Sequence, residues 1–149
     1  MTFEEKLRLT LEIDEGRVPE VYLCSQDVAT FGIGHAIKPE DPEYGLPVGT
    51  AISDQRITAA FEQDMEQCLA DAQWLVPDFA DLPKDAAVTV ASLSFQLGMP
   101  RYAKFKRHLA AVNAHDWATA AAELRDSKLY QQTTARTERH AARLEKLAV

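Results

Sequence analysis

The chain has 149 residues, 46% of them hydrophobic and 26% charged, with a formal net charge of −7. Those values exclude a disordered tract and a disulfide-stapled miniprotein, and they predict one globular domain able to bury a core without metal or disulfides. No run approaches the ~18 apolar residues of a membrane helix. The opening MTFEEKLRLTLE holds no apolar signal core, so a cytoplasmic origin without an export signal is expected. Charge is uneven: residues 1–100 carry 6 basic and 18 acidic side chains, and residues 101–149 carry 10 and 5. An acidic chain is a poor general nucleic-acid binder, and no nucleic-acid partner is expected. The basic last third either meets an anionic partner or balances the acidic front. Cys24 and Cys68 fit neither a zinc spacing nor a disulfide framework, which predicts two free thiols and no metal site.

In chain order, residues 2–14 read as a helix. Thr2 and Glu5 form a capping-box pattern, and Phe3, Leu7 and Leu11 share one stripe. Gly16 and Pro19 break the helix, which leaves Glu15 at its end. VYLC (21–24) and ATFGIG (29–34) then read as short β runs split by the polar SQD turn. Gly32 and Gly34 suggest close backbone approach. Residues 38–50, with three prolines and two glycines, form a loop. Ser53 caps a long helix to about Trp74, with Ile57, Ala60, Phe61, Met65, Cys68, Leu69 and Ala72 on its apolar face. Pro77 and Pro83 bracket a break.

From Lys84 on the chain reads as helical. Ala87, Val90, Ala91, Leu93 and Phe95 give a nearly all-apolar helix, expected at the centre of a core. Gly98 ends it, with Pro100 beyond. Tyr102, Phe105, Leu109 and Val112 stripe the next helix. Asp116 caps another, carrying Trp117, Ala120, Ala121 and Leu124. Residues 131–134 (QQTT) read as a polar break before a last helix, about 135–147, bearing Arg136, Arg139 and Arg143. The expected class is α+β and mainly helical: a small β-containing lobe at about 15–52, a connecting helix at about 53–74, and a helical lobe at about 84–149 joined by helix 2–14.

Glu15, then Cys24, then Thr30, followed by Gly32-Ile33-Gly34-His35, resembles the signature of the phage-type lysozymes of glycoside hydrolase family 24. That signature is Glu, eight residues, Asp or Cys, five residues, Thr. The resemblance extends over nearly the whole chain: IDEG (13–16), FEQD (61–64), FQLG (95–98), and Tyr130-Gln131-Gln132-Thr133 ahead of Arg136 and Arg139. It implies a single lysozyme-like, two-lobed domain over 1–149. It also implies a muramidase that cuts the β-1,4 bond between N-acetylmuramic acid and N-acetylglucosamine in bacterial peptidoglycan, as a monomer without cofactor or metal. The settings it implies are host lysis, phage entry or antibacterial attack at the cell wall, with a holin, injection or a virion for delivery.

Glycoside cleavage requires a proton on the leaving oxygen and a second group on the opposite side that activates water or attacks the sugar. Glu15 is the candidate acid, and an Arg beside it would lower its pKa, so burial would have to offset that charge. Cys24 stands where the two-carboxylate scheme places Asp. A thiol is a small apolar packing residue in most proteins. Here it is a candidate to polarise water, to attack, or to hold Thr30 and a water in place, and action through the thiol predicts inhibition by alkylation or oxidation. Asp27 is a second candidate carboxylate, although a turn-former is the simpler reading. Thr30 suits the orientation of a water. The resemblance further implies that His35 pairs with Asp64, Arg136 with Glu15, and Arg139 with Asp14. It places Gln96, Thr133 and Phe105 on the substrate, with Ser92 where relatives carry Asn.

Two other readings compete. One is a Cys24–His35 peptidase dyad, which would leave Glu15 idle. The other is a wall-binding or structural protein that keeps the fold without the activity.

Overall fold

The computed structural model of the chain describes residues 1–148. Its described residues form a mainly helical α+β protein, with eight α-helices and one small antiparallel sheet. The chain separates into two compact units, Arg8–Gln67 and a second one made of Met1–Leu7 with Cys68–Val149.

Helix α1 spans Phe3–Glu15. The capping box is formed: the Thr2 N–H donates to Glu5 Oε2 and the Glu5 N–H to Thr2 Oγ1, both at 3.1 Å, so two orphan donors of the first turn are satisfied. Leu7 and Leu11 are fully buried. Gly16, with φ +73°, ends the helix by donating its N–H to the Glu12 carbonyl at 2.9 Å, as a left-handed glycine does.

The sheet runs β1 (Val18–Leu23), β2 (Ala29–Gly32) and β3 (His35–Ala36), in that order. Two expectations are corrected here. The first strand begins at Val18, not at 21, so Pro19 lies inside β1, where a bulge between Val18 and Tyr22 tolerates it. The second run stops at Gly32, turns through Ile33 and Gly34, and returns as a third strand. Loop 38–53 comes back along the free edge of β1. The Ile52 N–H donates to the Pro19 carbonyl, and Val21 exchanges bonds with Thr50 and Gly49 at 2.8–2.9 Å. That edge is therefore paired rather than open.

Helix α2 spans Asp54–Leu75, one residue from the expected span at each end. The Ser53 hydroxyl accepts the Arg56 N–H at 3.1 Å. Ile57, Ala60, Phe61, Met65, Cys68 and Ala72 are buried as its periodicity requires. A 3₁₀ turn, Phe79–Asp81, leads to α3 (Lys84–Leu97), whose residues 86–94 are all buried. Asp85 in its first turn pairs with Lys6 and, at 3.1 Å, with Lys146.

The segment after Gly98 departs from the expected single helix. Gly98 ends α3 as expected, and Pro100 beyond it occupies the first turn of α4 (Met99–Tyr102), where its missing N–H costs no bond. Tyr102 therefore belongs to α4, and Phe105 caps α5 (Lys106–Asn113). Helix α6 spans Trp117–Arg125 with Asp116 accepting the Thr119 N–H. The expected polar break at 131–134 is only in part a break. Gln131 and Gln132 close α7 (Lys128–Gln132), which Ser127 caps, and Thr133 alone separates it from α8 (Thr134–Glu145). Among the described residues no helix is long and apolar enough to cross a membrane.

Candidate active site

Glu15 is the last residue of α1, so the helix fixes its backbone. Its carboxyl lies directly against Gly34, in the turn between β2 and β3. A Cβ built on Gly34 would stand 2.7 Å from the Glu15 Cδ, closer than real atoms approach. Gly34 also holds φ +64°, a conformation that side-chain-bearing residues rarely adopt. Glycine is thus required there twice over, by backbone and by space. Of the close approaches that the glycine pair suggests in sequence, Gly32 meets Ile57 and Gly34 meets the acid itself.

The turn that carries Gly34 is anchored by ions. His35 Nδ1 lies 2.7 Å from Asp64 Oδ2 on α2, and Nε2 lies 2.8 Å from Asp41 Oδ2 in the following loop. Arg56 holds Glu43 through two bonds of 2.8 and 3.0 Å and approaches Asp41 at 3.6 Å. The His35 side chain is 4% exposed. Burial pushes its pKa down, but the bonds and charges of Asp64 and Asp41 outweigh burial and raise it above the usual value. The converse holds for Asp41, whose bonds to the Lys38 N–H and His35 lower its pKa against burial. Both His35 ring nitrogens are engaged, so neither is available to activate Cys24, and the peptidase dyad is ruled out by this geometry.

Cys24 follows β1 at the hairpin turn. Its N–H donates to the Val28 carbonyl at 3.0 Å, and its carbonyl accepts the Asp27 N–H at 2.8 Å. Ser25, Gln26 and Asp27 close a three-residue loop with Asp27 at φ 59°, the left-handed position such loops demand. Asp27 is exposed and serves as the turn-former. Cys24 is a half-buried free thiol, and Cys68 a buried one. Thr30 sits on the central strand, 4% exposed, and its hydroxyl donates to the Val28 carbonyl at 2.8 Å. With its hydrogen committed, Thr30 offers only lone pairs to a neighbour.

These are features of the unit Arg8–Gln67. In the other unit, Gln96 Nε2 donates to Thr133 Oγ1 at 3.4 Å, and Thr133 also meets Thr137 at 3.0 Å. The Gln96 Oε1 and the Ser92 hydroxyl are buried without a hydrogen-bond partner among the described residues. Phe105 stacks edge-on against Tyr102 and lines a cleft of about 450 Å³ with Lys104, Arg107, His108, Glu123 and Lys128. Asp14 and Arg136 are half-buried, and Arg139 is exposed.

The sequence model of the phage lysozyme family matches residues 12–142. The chain belongs to the phage lysozyme family. It is 29% identical to probable T4-type lysozyme 2 of Dictyostelium discoideum, over 89% of both chains. It is 26% identical to probable T4-type lysozyme 1 of the same organism, over 87% of both. It is also 28% identical to the pre-baseplate central spike protein of Enterobacteria phage T4. That match covers 93% of this chain but only 27% of the spike protein.

Membership in a lysozyme family supports a peptidoglycan hydrolase, a glycoside hydrolase in reaction class. Sequence reasoning missed Asp41, Glu43 and Arg56, the outer half of the ionic anchor. They lie in or beyond a Pro/Gly-rich loop whose charges carry no period, so no sequence signal separates them from solvated loop residues.

Proposed function

We propose that this phage lysozyme is a muramidase that hydrolyses the β-1,4 bond between N-acetylmuramic acid and N-acetylglucosamine in bacterial peptidoglycan. The observation that carries the reading is the Glu15 carboxyl, seated on the bare backbone of Gly34 in a turn clamped by His35. A carboxyl so placed is preorganised for proton transfer. In the proposed reaction Glu15 delivers a proton to the leaving oxygen as positive charge develops on the ring. Thr30, its own hydrogen committed to Val28, accepts a hydrogen bond from the attacking water and so aims the water's lone pair at the sugar; the proton lost as the new C–O bond forms passes to solvent, from which Glu15 is reprotonated. Cys24 stands at the same strand end and polarises that water. The assignment of Gln96, Thr133 and Phe105 to the substrate rests on the family resemblance alone. The pairings of Arg136 with Glu15 and Arg139 with Asp14 rest on the family resemblance alone.

The action is at the cell wall, in host lysis, phage entry or antibacterial attack. Similarity to a phage spike protein favours delivery on a particle over release through a holin. Glu15→Gln keeps the shape and removes the proton. Its rate of turbidity loss on purified peptidoglycan is expected to fall at least 10²-fold, the scale of a lost general acid, with reducing-end muramic acid products from wild type. Wild-type rates in Glu15→Gln would refute the reading, and anhydro-sugar ends would make the enzyme a transglycosylase instead. No release by wild type would favour a wall-binding protein that has kept the fold.

A further inference from the structure

Tyr22 is outside the Glu–Cys–Thr spacing, yet the sheet delivers it to the same place. Register pairs Tyr22 directly with Thr30, and side chains of opposed residues share a face of the sheet. Strand alternation returns Cys24, two residues on, to that face. Val21 and Phe31, one step out of phase, are 1% and 0% exposed and form the other, buried face. Tyr22 itself is only half-buried. Its phenolic oxygen has no hydrogen-bond partner among the described residues, whereas the Thr30 hydroxyl is already committed to Val28.

Electrostatics agree with the register. Burial raises the Tyr22 pKa first, and the charges of Glu15 and Cys24 raise it further. The phenol therefore keeps its proton at neutral pH. Glu15, Cys24 and Thr30 supply an acid, a thiol and an acceptor. Among the described residues the Tyr22 hydroxyl is an O–H donor on that face with no partner within the protein.

We propose that Tyr22 is a fourth catalytic residue, whose phenol O–H hydrogen-bonds an oxygen of the amino sugar held between Glu15 on one side and Thr30 with Cys24 on the other. Such a contact orients the ring that develops positive charge and strengthens where the site excludes water. The inference rests on the muramidase reading of the same face. It names the missing donor in a site whose second carboxylate is replaced by a thiol.

The test compares Tyr22→Phe with Tyr22→Leu, using a soluble muramyl tetrasaccharide and an unfolding midpoint for each. Loss of one neutral hydrogen bond predicts about a tenfold fall in kcat/KM for Tyr22→Phe at an unchanged midpoint, with Tyr22→Leu no better. If Tyr22→Phe matches wild type and only Tyr22→Leu is impaired, the ring packs and the hydroxyl does nothing, which overturns the proposal. A second measurement uses Glu15→Gln protein with and without Tyr22→Phe, reading the Kd of the same tetrasaccharide. A weaker Kd in the double variant supports the contact, and an equal Kd overturns it. Full activity of Glu15→Gln would instead refute the muramidase reading, so the two failures are distinct.

Discussion

At the scale of single residues, Gly34 does more than permit a turn. Any side chain there meets the Glu15 carboxyl, and its left-handed backbone penalises an L-residue by about 1–2 kcal/mol. Gly34→Ala is therefore expected to lower stability by about that amount and to displace the acid. A misplacement near 1 Å costs on the order of 10²-fold in rate. Parallel measurement of unfolding midpoint and turbidity loss checks this, and a Gly34→Ala protein with wild-type turnover would show that Glu15 does not depend on its seat. Glu15 and Thr30 could be read from sequence because their spacing is fixed by one helix end and one hairpin. Gly34 could be read only as a close approach, since what approaches it is set by a helix nineteen residues upstream. Asp41 and Arg56 could not be read, because their partners are chosen by the path of a loop.

At the scale of elements, legibility followed local chemistry. The Ser53 cap and the long apolar stripe of α2 placed that helix within one residue at each end. Ser53→Ala removes the acceptor for the Arg56 N–H and is expected to cost about 1 kcal/mol, or a few degrees in midpoint. An unchanged midpoint would mean that water replaces the cap at no cost. Where short helices abut, the stripe misleads. Tyr102, Phe105, Leu109 and Val112 keep a helical spacing in sequence although the chain turns between α4 and α5. Tyr102 is buried because its O–H donates to His108 Nε2 at 2.9 Å, and His108 Nδ1–H donates to the Ala120 carbonyl at 2.9 Å. That relay joins three helices, and no window along the sequence displays it. Pro100, expected only beyond the Gly98 stop, also starts the next helix, because a proline serves a helix start as well as a helix stop.

At the scale of the whole molecule, the histidines are set against one another. His35 has a raised pKa, so its contribution is complete below the unfolded value of about 6.5 and is lost as pH rises through its folded value. His108 is buried neutral, with its pKa pushed down to about 4. His140 is likewise lowered by burial and by Arg143, Arg136 and Arg139. An unfolded chain binds protons at these two sites from about pH 6.5 downward while the folded chain refuses them, so their contribution falls as pH drops from about 6.5 toward 4. Asp41, Glu43 and Asp85, all lowered, keep theirs until more acid conditions. The unfolding midpoint is thus expected to peak near pH 6.5. His35→Gln should flatten the alkaline side. A midpoint still rising at pH 8.5 in wild type would contradict the His35 assignment, and one equal at pH 4.5 and 6.5 would contradict that of His108.

The two free cysteines give the fold a pair of internal clocks. Cys24 is half-buried at a hairpin turn, and Cys68 is 2% exposed in the middle of α2. A small thiol reagent reaches the first in the native state, whereas it reaches the second only when the structure around α2 opens. One labelling time course, resolved by mass, therefore reads both the accessibility of the proposed site and the opening rate of the core, with no residue changed.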